Sequence, residues 1–206
     1  HLGAELHEDA GAWRFGLQVI KHMVDRVGEY AEETGFRFGC IQTPAESCAH
    51  RLALVDKKLF GDKAVVEGDT GNGGIYYTNS SHVRPSAGIP LLERIKVESS
   101  FHPLTKGGAI LHVWLGESNP SPEAVWKLIR RIATESLAAY FAFTRDMTIC
   151  RKCNGVEANL QPKCKRCGAE GNDLEHWSRI TGYYQQVRGW NAGKVQEFKD
   201  RHRYTV

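Results

Sequence analysis

Cys150-Arg-Lys-Cys153-Asn-Gly-Val-Glu-Ala-Asn-Leu-Gln-Pro-Lys-Cys164-Lys-Arg-Cys167-Gly168 is the stretch from which the rest of this 206-residue chain is read. Structural zinc takes four ligands in a tetrahedron. A Cys-x-x-Cys turn presents two thiolates to one ion, so two such turns close the shell. The ten residues between the pairs, 154–163, include Gly155 and Pro162 and can fold back as a short ribbon, while Gly168 frees the second turn. Cys150, Cys153, Cys164 and Cys167 are therefore metal-ligand candidates. A closed four-thiolate shell leaves no position for substrate, so a zinc here is structural and rigidifies the segment C-terminal to it. An iron–sulfur cluster also uses four cysteines, and spacing leaves that alternative open.

Downstream runs Ser178-Arg-Ile-Thr-Gly182-Tyr-Tyr-Gln-Gln-Val187, with fourteen residues between Cys167 and Gly182. Only glycine has an α-carbon without a side chain. A radical on that carbon can flatten between its amide nitrogen and its carbonyl and be stabilised by both, and the α-hydrogen is open to abstraction. An isolated Thr-Gly-Tyr is better read as an ordinary turn. Asn191 is placed to cap a closing helix in which Val195 and Phe198 dock on the rest.

Upstream, Trp13, Leu17, Ile20, Val24, Val27 and Ala31 recur at steps of four and three, which predicts a long amphipathic helix over 12–33 ended by Gly35. Residues 36–42 read as a short strand. In Thr43-Pro-Ala-Glu46, Thr43 is the expected N-cap, Pro44 the first helical residue and Glu46 the closing member of a capping box. A helix then runs to about Lys58 with Ala45, Cys48, Leu52 and Val55 on one face. Residues 67–74 form a glycine-rich loop opening into a strand at 75–78 and then Asn79-Ser-Ser-His82. A short helix over 87–97 with Pro90 in its first turn comes next, then an apolar strand over 109–115. A helix over 121–136 with Val125, Leu128, Ile129 and Ile132 inward and a strand over 137–143 complete the layer. Helix and strand alternate three times, which predicts a mostly parallel α/β sheet or barrel over residues 1–145.

Hydrophobic content of 41% and aromatic content of 10% describe a globular protein. No apolar run approaches a membrane span, and the opening His1-Leu-Gly-Ala-Glu-Leu-His7 lacks a signal pattern, so the expectation is a cytoplasmic protein with no membrane. Without a secretion signal, six cysteines of which four sit in Cys-x-x-Cys pairs favour metal over disulfides. The net charge of +3 is too small to argue for nucleic acid, although from Thr144 onward 12 Lys/Arg face 7 Asp/Glu. The chain begins with His rather than Met, and a fragment, or one part of a split or processed polypeptide, is expected.

The four-cysteine knot followed by Arg179-Ile-Thr-Gly-Tyr183 resembles the C-terminal portion of anaerobic (class III) ribonucleotide reductases. Thr43-Pro-Ala-Glu46 and Tyr76-Tyr-Thr-Asn-Ser-Ser-His82 resemble further segments of that family in the same order. The resemblance covers essentially the whole chain. It implies the C-terminal part of a ten-stranded α/β barrel of the glycyl radical enzyme type over 1–145, a small zinc-binding ribbon over 146–174, and a radical loop with closing helix over 175–206. It implies reduction of ribonucleoside triphosphates: a glycyl radical on Gly182, generated with S-adenosylmethionine by a separate radical-SAM activase, takes a hydrogen atom from a cysteine. The thiyl radical so formed attacks the ribose. That cysteine would lie in the N-terminal remainder of the reductase, since neither Cys40 nor Cys48 has a comparable context. The chain alone is expected to be inactive, and the family implies a homodimer. Asn79, Ser80, Ser81, His82 and Thr43 are the candidate substrate contacts, because hydroxyls, an amide and helix N-termini bind anions. His112, inside an apolar strand, reads as a core histidine. Two alternatives are a zinc-ribbon nucleic-acid-binding module using Lys163, Lys165 and Arg166, and a stand-alone spare part that carries the radical for a damaged reductase.

Overall fold

The structure, a computed structural model, describes residues 3–117 and 119–206. The chain divides into two compact units assembled from alternating segments. His1–Pro44, Thr78–Leu111 and Trp126–Ala142 make one; Ala45–Tyr77, His112–Val125 and Phe143–Val206 make the other.

In the first unit, helix α1 (Ala10–Thr34) starts where Asp9 accepts from the Ala12 N–H, and ends at Gly35, whose φ of 71° lets its N–H reach Ala31 O. Trp13 on its stripe donates to Ser100 Oγ at 2.9 Å. Trp13 also packs with Leu6 and Ile89 on the buried cluster Val83, Ala87 and Val97. Residues 36–42 are extended but form no strand. Among the described residues their only bonds to another segment's backbone are from Lys106 N, which donates to Cys40 O at 2.8 Å, and to Gly107 O, which accepts from Gln42 N at 3.0 Å. Two bonds hold that approach, and it needs Gly108. At φ 73° a Cβ there would fall 1.8 Å from Gln42 O. Helix α3 (Leu91–Ser99) begins after Pro90, later than the pattern predicts.

In the second unit, helix α2 (Glu46–Phe60) starts three residues beyond Thr43. Its N-cap is Ala45, with no side-chain bond, so the capping box is not made; the Glu46 carboxylate instead accepts from Thr181. The buried face is Ala49 and Ala53, not the one predicted, and Cys48, Leu52 and Val55 are exposed. The ends of the glycine loop pair: β1 (Glu67–Asp69) runs antiparallel to β2 (Gly74–Tyr76). Small residues permit close packing on β2 from both sides. His50 Nδ1 donates to Ile75 O at 2.7 Å, and a Cβ on Gly193 would lie 2.7 Å from the same oxygen.

Strand β3 (Leu111–Leu115) pairs with β4 (Phe141–Arg145), and helix α4 (Pro122–Glu135) between them buries Leu128 and Ile132 as the periodicity predicts. His112 stacks on Trp114 with ring centroids 6.3 Å apart. Beyond β4, the strands β5 (Met147–Cys150), β6 (Val156–Ala158), β7 (Leu174–Arg179) and β8 (Tyr184–Gln186) form an antiparallel sheet in the order β6-β5-β7-β8. The architecture is mixed α/β, built on three small open sheets among the described residues rather than one long one. Helix α5 (Ala192–Asp200) closes the chain, its Asn191 cap accepting from Lys194 N. No helix among the described residues is long and apolar enough to cross a membrane.

Candidate functional site

The four cysteines converge at one end of the four-stranded sheet. Cys150 ends β5 and Cys153 lies in the turn beyond it; the chain then passes through the β6 ribbon and returns to present Cys164 and Cys167. All four sulfurs lie within 4.8 Å of one another, with Cys150–Cys167 at 3.6 Å and Cys153–Cys164 at 3.7 Å. A disulfide would require about 2.05 Å. A tetrahedron with metal–sulfur bonds of about 2.3 Å has edges of about 3.8 Å, so these thiols fit one zinc-sized ion. Burial pushes the Cys150 thiol up, but the backbone N–H groups of Cys153 and Lys152 point at its sulfur and carry it down to about 7. For Cys153 the Gly155 N–H pulls downward, yet burial and the neighbouring sulfurs push it up to about 12. Four crowded thiols cannot all ionise without a cation, which is what a metal supplies.

The sheet carries this anchor to the glycine. Cys150 pairs with Leu174, and further along β7 Arg179 pairs with Tyr184 of β8. Ile180 N donates to Tyr183 O at 3.0 Å, which leaves Thr181 and Gly182 as the tip of a hairpin. Ile180 is buried against Trp190 and Phe198 with Val187 and Val195 around them, so the docking expected of Val195 and Phe198 is observed. Two residues later Gly182 is exposed. Its φ lies outside the left-handed region, and a Cβ built on it meets nothing within 4 Å. Neither backbone conformation nor crowding in this structure calls for glycine there.

Four hydrogen bonds around the tip escape sequence analysis. Thr181 Oγ1 donates to Glu46 Oε1 at 2.5 Å, and Asn191 Nδ2 donates to Glu46 O at 3.2 Å. Arg179 Nε donates to Thr181 O at 2.9 Å and Arg179 Nη2 to Gly182 O at 3.1 Å. Behind the loop, Ser178 donates to Asp146 Oδ1 at 2.6 Å and accepts from Arg201, while Arg203 closes on Asp146 Oδ2. Arg201 and Lys194 flank Glu197. Burial raises that carboxyl, but the two cations overcome it and hold it down at about 2.

The other predicted residues lie in the first unit and come together there. Ser80, at φ 49°, donates from Oγ to Thr43 O at 3.2 Å. Asn79 Oδ1 is buried with no hydrogen-bond partner among the described residues. Ser81 sits in the turn between them and His82, half-buried. His82 Nδ1 donates to Glu98 Oε2 at 3.1 Å; Glu98 also accepts from Val83 N and from Arg94. Burial raises Glu98, and Arg94, His82 and the Val83 N–H outweigh it, leaving the carboxyl below its usual range. The only hint in the sequence is the i,i+4 Arg94–Glu98 pair on α3. His82 also lines a cavity of about 340 Å³ with Thr78, Arg84, His7 and Phe15.

Residues 1–204 match the family model described as anaerobic ribonucleoside-triphosphate reductase. The anaerobic ribonucleoside-triphosphate reductase of Haemophilus influenzae is 29% identical over 195 residues, covering 90% of this chain and 26% of its own length. A solved anaerobic ribonucleotide reductase superposes with a TM-score of 0.78 at 27% identity, covering 97% of this chain and 30% of its own. A Thermotoga maritima anaerobic ribonucleotide reductase in complex with dATP and CTP superposes at 0.72 with 26% identity, covering 92% and 29%. The chain thus spans about a quarter of the length of the curated relatives it matches.

Proposed function

The chain belongs to the anaerobic ribonucleoside-triphosphate reductase family, and from that premise we propose that it is the radical-bearing portion of such an enzyme, with Gly182 as the radical's storage site. The supporting observation is Gly182 itself: an exposed hairpin tip where an L-residue would fit, so the demand for glycine is chemical rather than conformational.

The activity proceeds in order. A carbon-centred radical, made from S-adenosylmethionine by a separate activase, removes the Gly182 α-hydrogen. Gly182 then takes a hydrogen atom from a cysteine thiol in the upstream part of the reductase, and the thiyl radical so formed takes one from the ribose of a ribonucleoside triphosphate. Two electrons and two protons from an external reductant, formate or a dithiol, replace the ribose hydroxyl by hydrogen with loss of water, and the borrowed hydrogen returns to give the deoxyribonucleotide used in DNA synthesis. Cys150, Cys153, Cys164 and Cys167 hold a structural zinc that fixes β7 and so the loop. Asn79, Ser80, Ser81, His82 and Thr43 contact the substrate; the unpartnered Asn79 amide oxygen supports this, being an acceptor that a bound hydroxyl would satisfy. Residues 1–145 contribute to a ten-stranded barrel completed by the upstream part, with 146–174 as the zinc ribbon and 175–206 as the loop and closing helix, in a cytoplasmic homodimer.

Anaerobic incubation with the activase and S-adenosylmethionine, followed by electron paramagnetic resonance, tests this. A doublet that disappears in Gly182→Ala is expected; no organic radical in a folded, zinc-loaded chain contradicts it. In the complete reductase, Ser81→Ala and His82→Ala weaken substrate binding, and unchanged affinity in both removes that segment from the substrate site.

A further inference from the structure

We propose that Arg179 is a positioning residue for the radical, its guanidinium holding the two peptide groups on either side of the Gly182 α-carbon. This rests on the assignment of the radical to Gly182. Thr181 O belongs to the peptide on the amino side of that carbon, and Gly182 O to the peptide on its carboxyl side. One guanidinium bonds both, through Nε at 2.9 Å and Nη2 at 3.1 Å. The Nε and Nη2 N–H bonds lie parallel on one edge of a rigid plane. Tying two successive carbonyls to that plane restricts rotation about both Gly182 backbone bonds. The arginine is itself fixed, because its backbone pairs with Tyr184 in the β7–β8 ladder.

The consequence is chemical. When the α-hydrogen is abstracted, the C–H bond breaks, the hydrogen atom leaves with one electron to the attacking carbon radical, and the other electron stays on the Gly182 α-carbon. That electron is stabilised when both peptides lie in one plane with it, and glycine left alone rotates freely about φ and ψ. A cationic donor on Gly182 O also draws spin density toward the carbonyl, strengthening the accepting half of the stabilisation. The Nε bond to Thr181 O competes for the amide nitrogen's lone pair, so its contribution is geometric. Lysine, a single point charge on a flexible stem, lacks the rigid fork that bonds both carbonyls from one edge.

The test is the electron paramagnetic resonance spectrum of the activated chain and of Arg179→Lys and Arg179→Gln, with far-ultraviolet circular dichroism and zinc content as folding controls. The expected result is a radical in both variants with an altered α-hydrogen splitting, a higher largest g value and, on the order of tenfold, faster decay. Identical splitting, g values and decay overturn the proposal. Because a variant can fail to fold, the parent carries an independent measurement: electron–nuclear double resonance after guanidino-¹⁵N arginine labelling and exchange into deuterium oxide. A coupled exchangeable deuteron together with ¹⁵N is expected; their absence from a parent that forms the radical overturns the role of Arg179. A parent that forms no radical overturns instead the assignment to Gly182.

Discussion

Thr181 Oγ1 donates to Glu46 Oε1 at 2.5 Å, joining residues 135 apart in sequence. Asn191 Nδ2 donates to the Glu46 carbonyl oxygen, so the first turn of α2 holds both ends of the segment that carries Gly182. Thr181→Val and Glu46→Ala should each cost about 1 kcal/mol, with a coupling energy of similar size in the double-mutant cycle. Denaturant titration checks it, and strictly additive losses would show that the bond contributes nothing.

Two glycines in the same unit should respond oppositely to alanine. At Gly193 the new Cβ would sit 2.6 Å from His50 Nδ1 and 2.7 Å from Ile75 O, and backbone cannot yield cheaply. Gly193→Ala should cost about 1–3 kcal/mol and lower Tm by several degrees. Gly182→Ala should stay within about 0.5 kcal/mol of the parent. A large loss at Gly182 would mean that the hairpin needs glycine for conformation after all.

One zinc per chain should be found after anaerobic purification. Cys150→Ser or Cys164→Ser should lose it, and because β5 and β7 extend from the cluster, the same variants should become protease-sensitive between residues 146 and 190. Metal analysis and limited proteolysis read this; a cysteine variant that keeps its protection would detach the metal from the loop.

Acid should erode the buried charge cluster behind the loop. The Glu197 carboxyl sits at about 2 when folded against 4.5 when free, so its stabilisation is present above about pH 4.5 and is lost as pH falls toward 2. Glu197→Gln leaves Arg201 and Lys194 without their counter-charge, so it should cost about 3 kcal/mol at pH 7 and flatten the pH dependence between 5 and 3. Equal acid slopes in parent and variant would contradict this.

Features set by near neighbours were legible from sequence. The cysteine pairs, the helices α1 and α4 and the Asn191 cap depend on residues within a few positions, and all are found. Features set by distant partners were not. Residues 36–42 look like a strand but, among the described residues, bond the backbone of another segment only at 106–107. Glu46 satisfies a capping-box pattern, yet its carboxylate goes to Thr181, whose hydroxyl offers a strong partner once the hairpin tip arrives. The inward face of α2 was misplaced because its partners, β2 and α5, select Ala49 and Ala53 for closeness rather than Leu52 for size. For the candidate site, the pairing of the four cysteines that converge is written in their spacing, whereas the Arg179 bonds to Thr181 O and Gly182 O and the Glu98–Arg94 support of His82 depend on how the chain folds back.

Whether Gly182 carries the radical is settled most directly by isotopic substitution. The chain is grown with [2-²H₂]glycine, activated anaerobically with S-adenosylmethionine and its activase, and compared by electron paramagnetic resonance with unlabelled parent and Gly182→Ala. A radical on Gly182 predicts a doublet in the parent, its collapse toward a singlet on deuteration, and no signal in the variant. A doublet that survives deuteration, or persists in Gly182→Ala, would place the radical elsewhere.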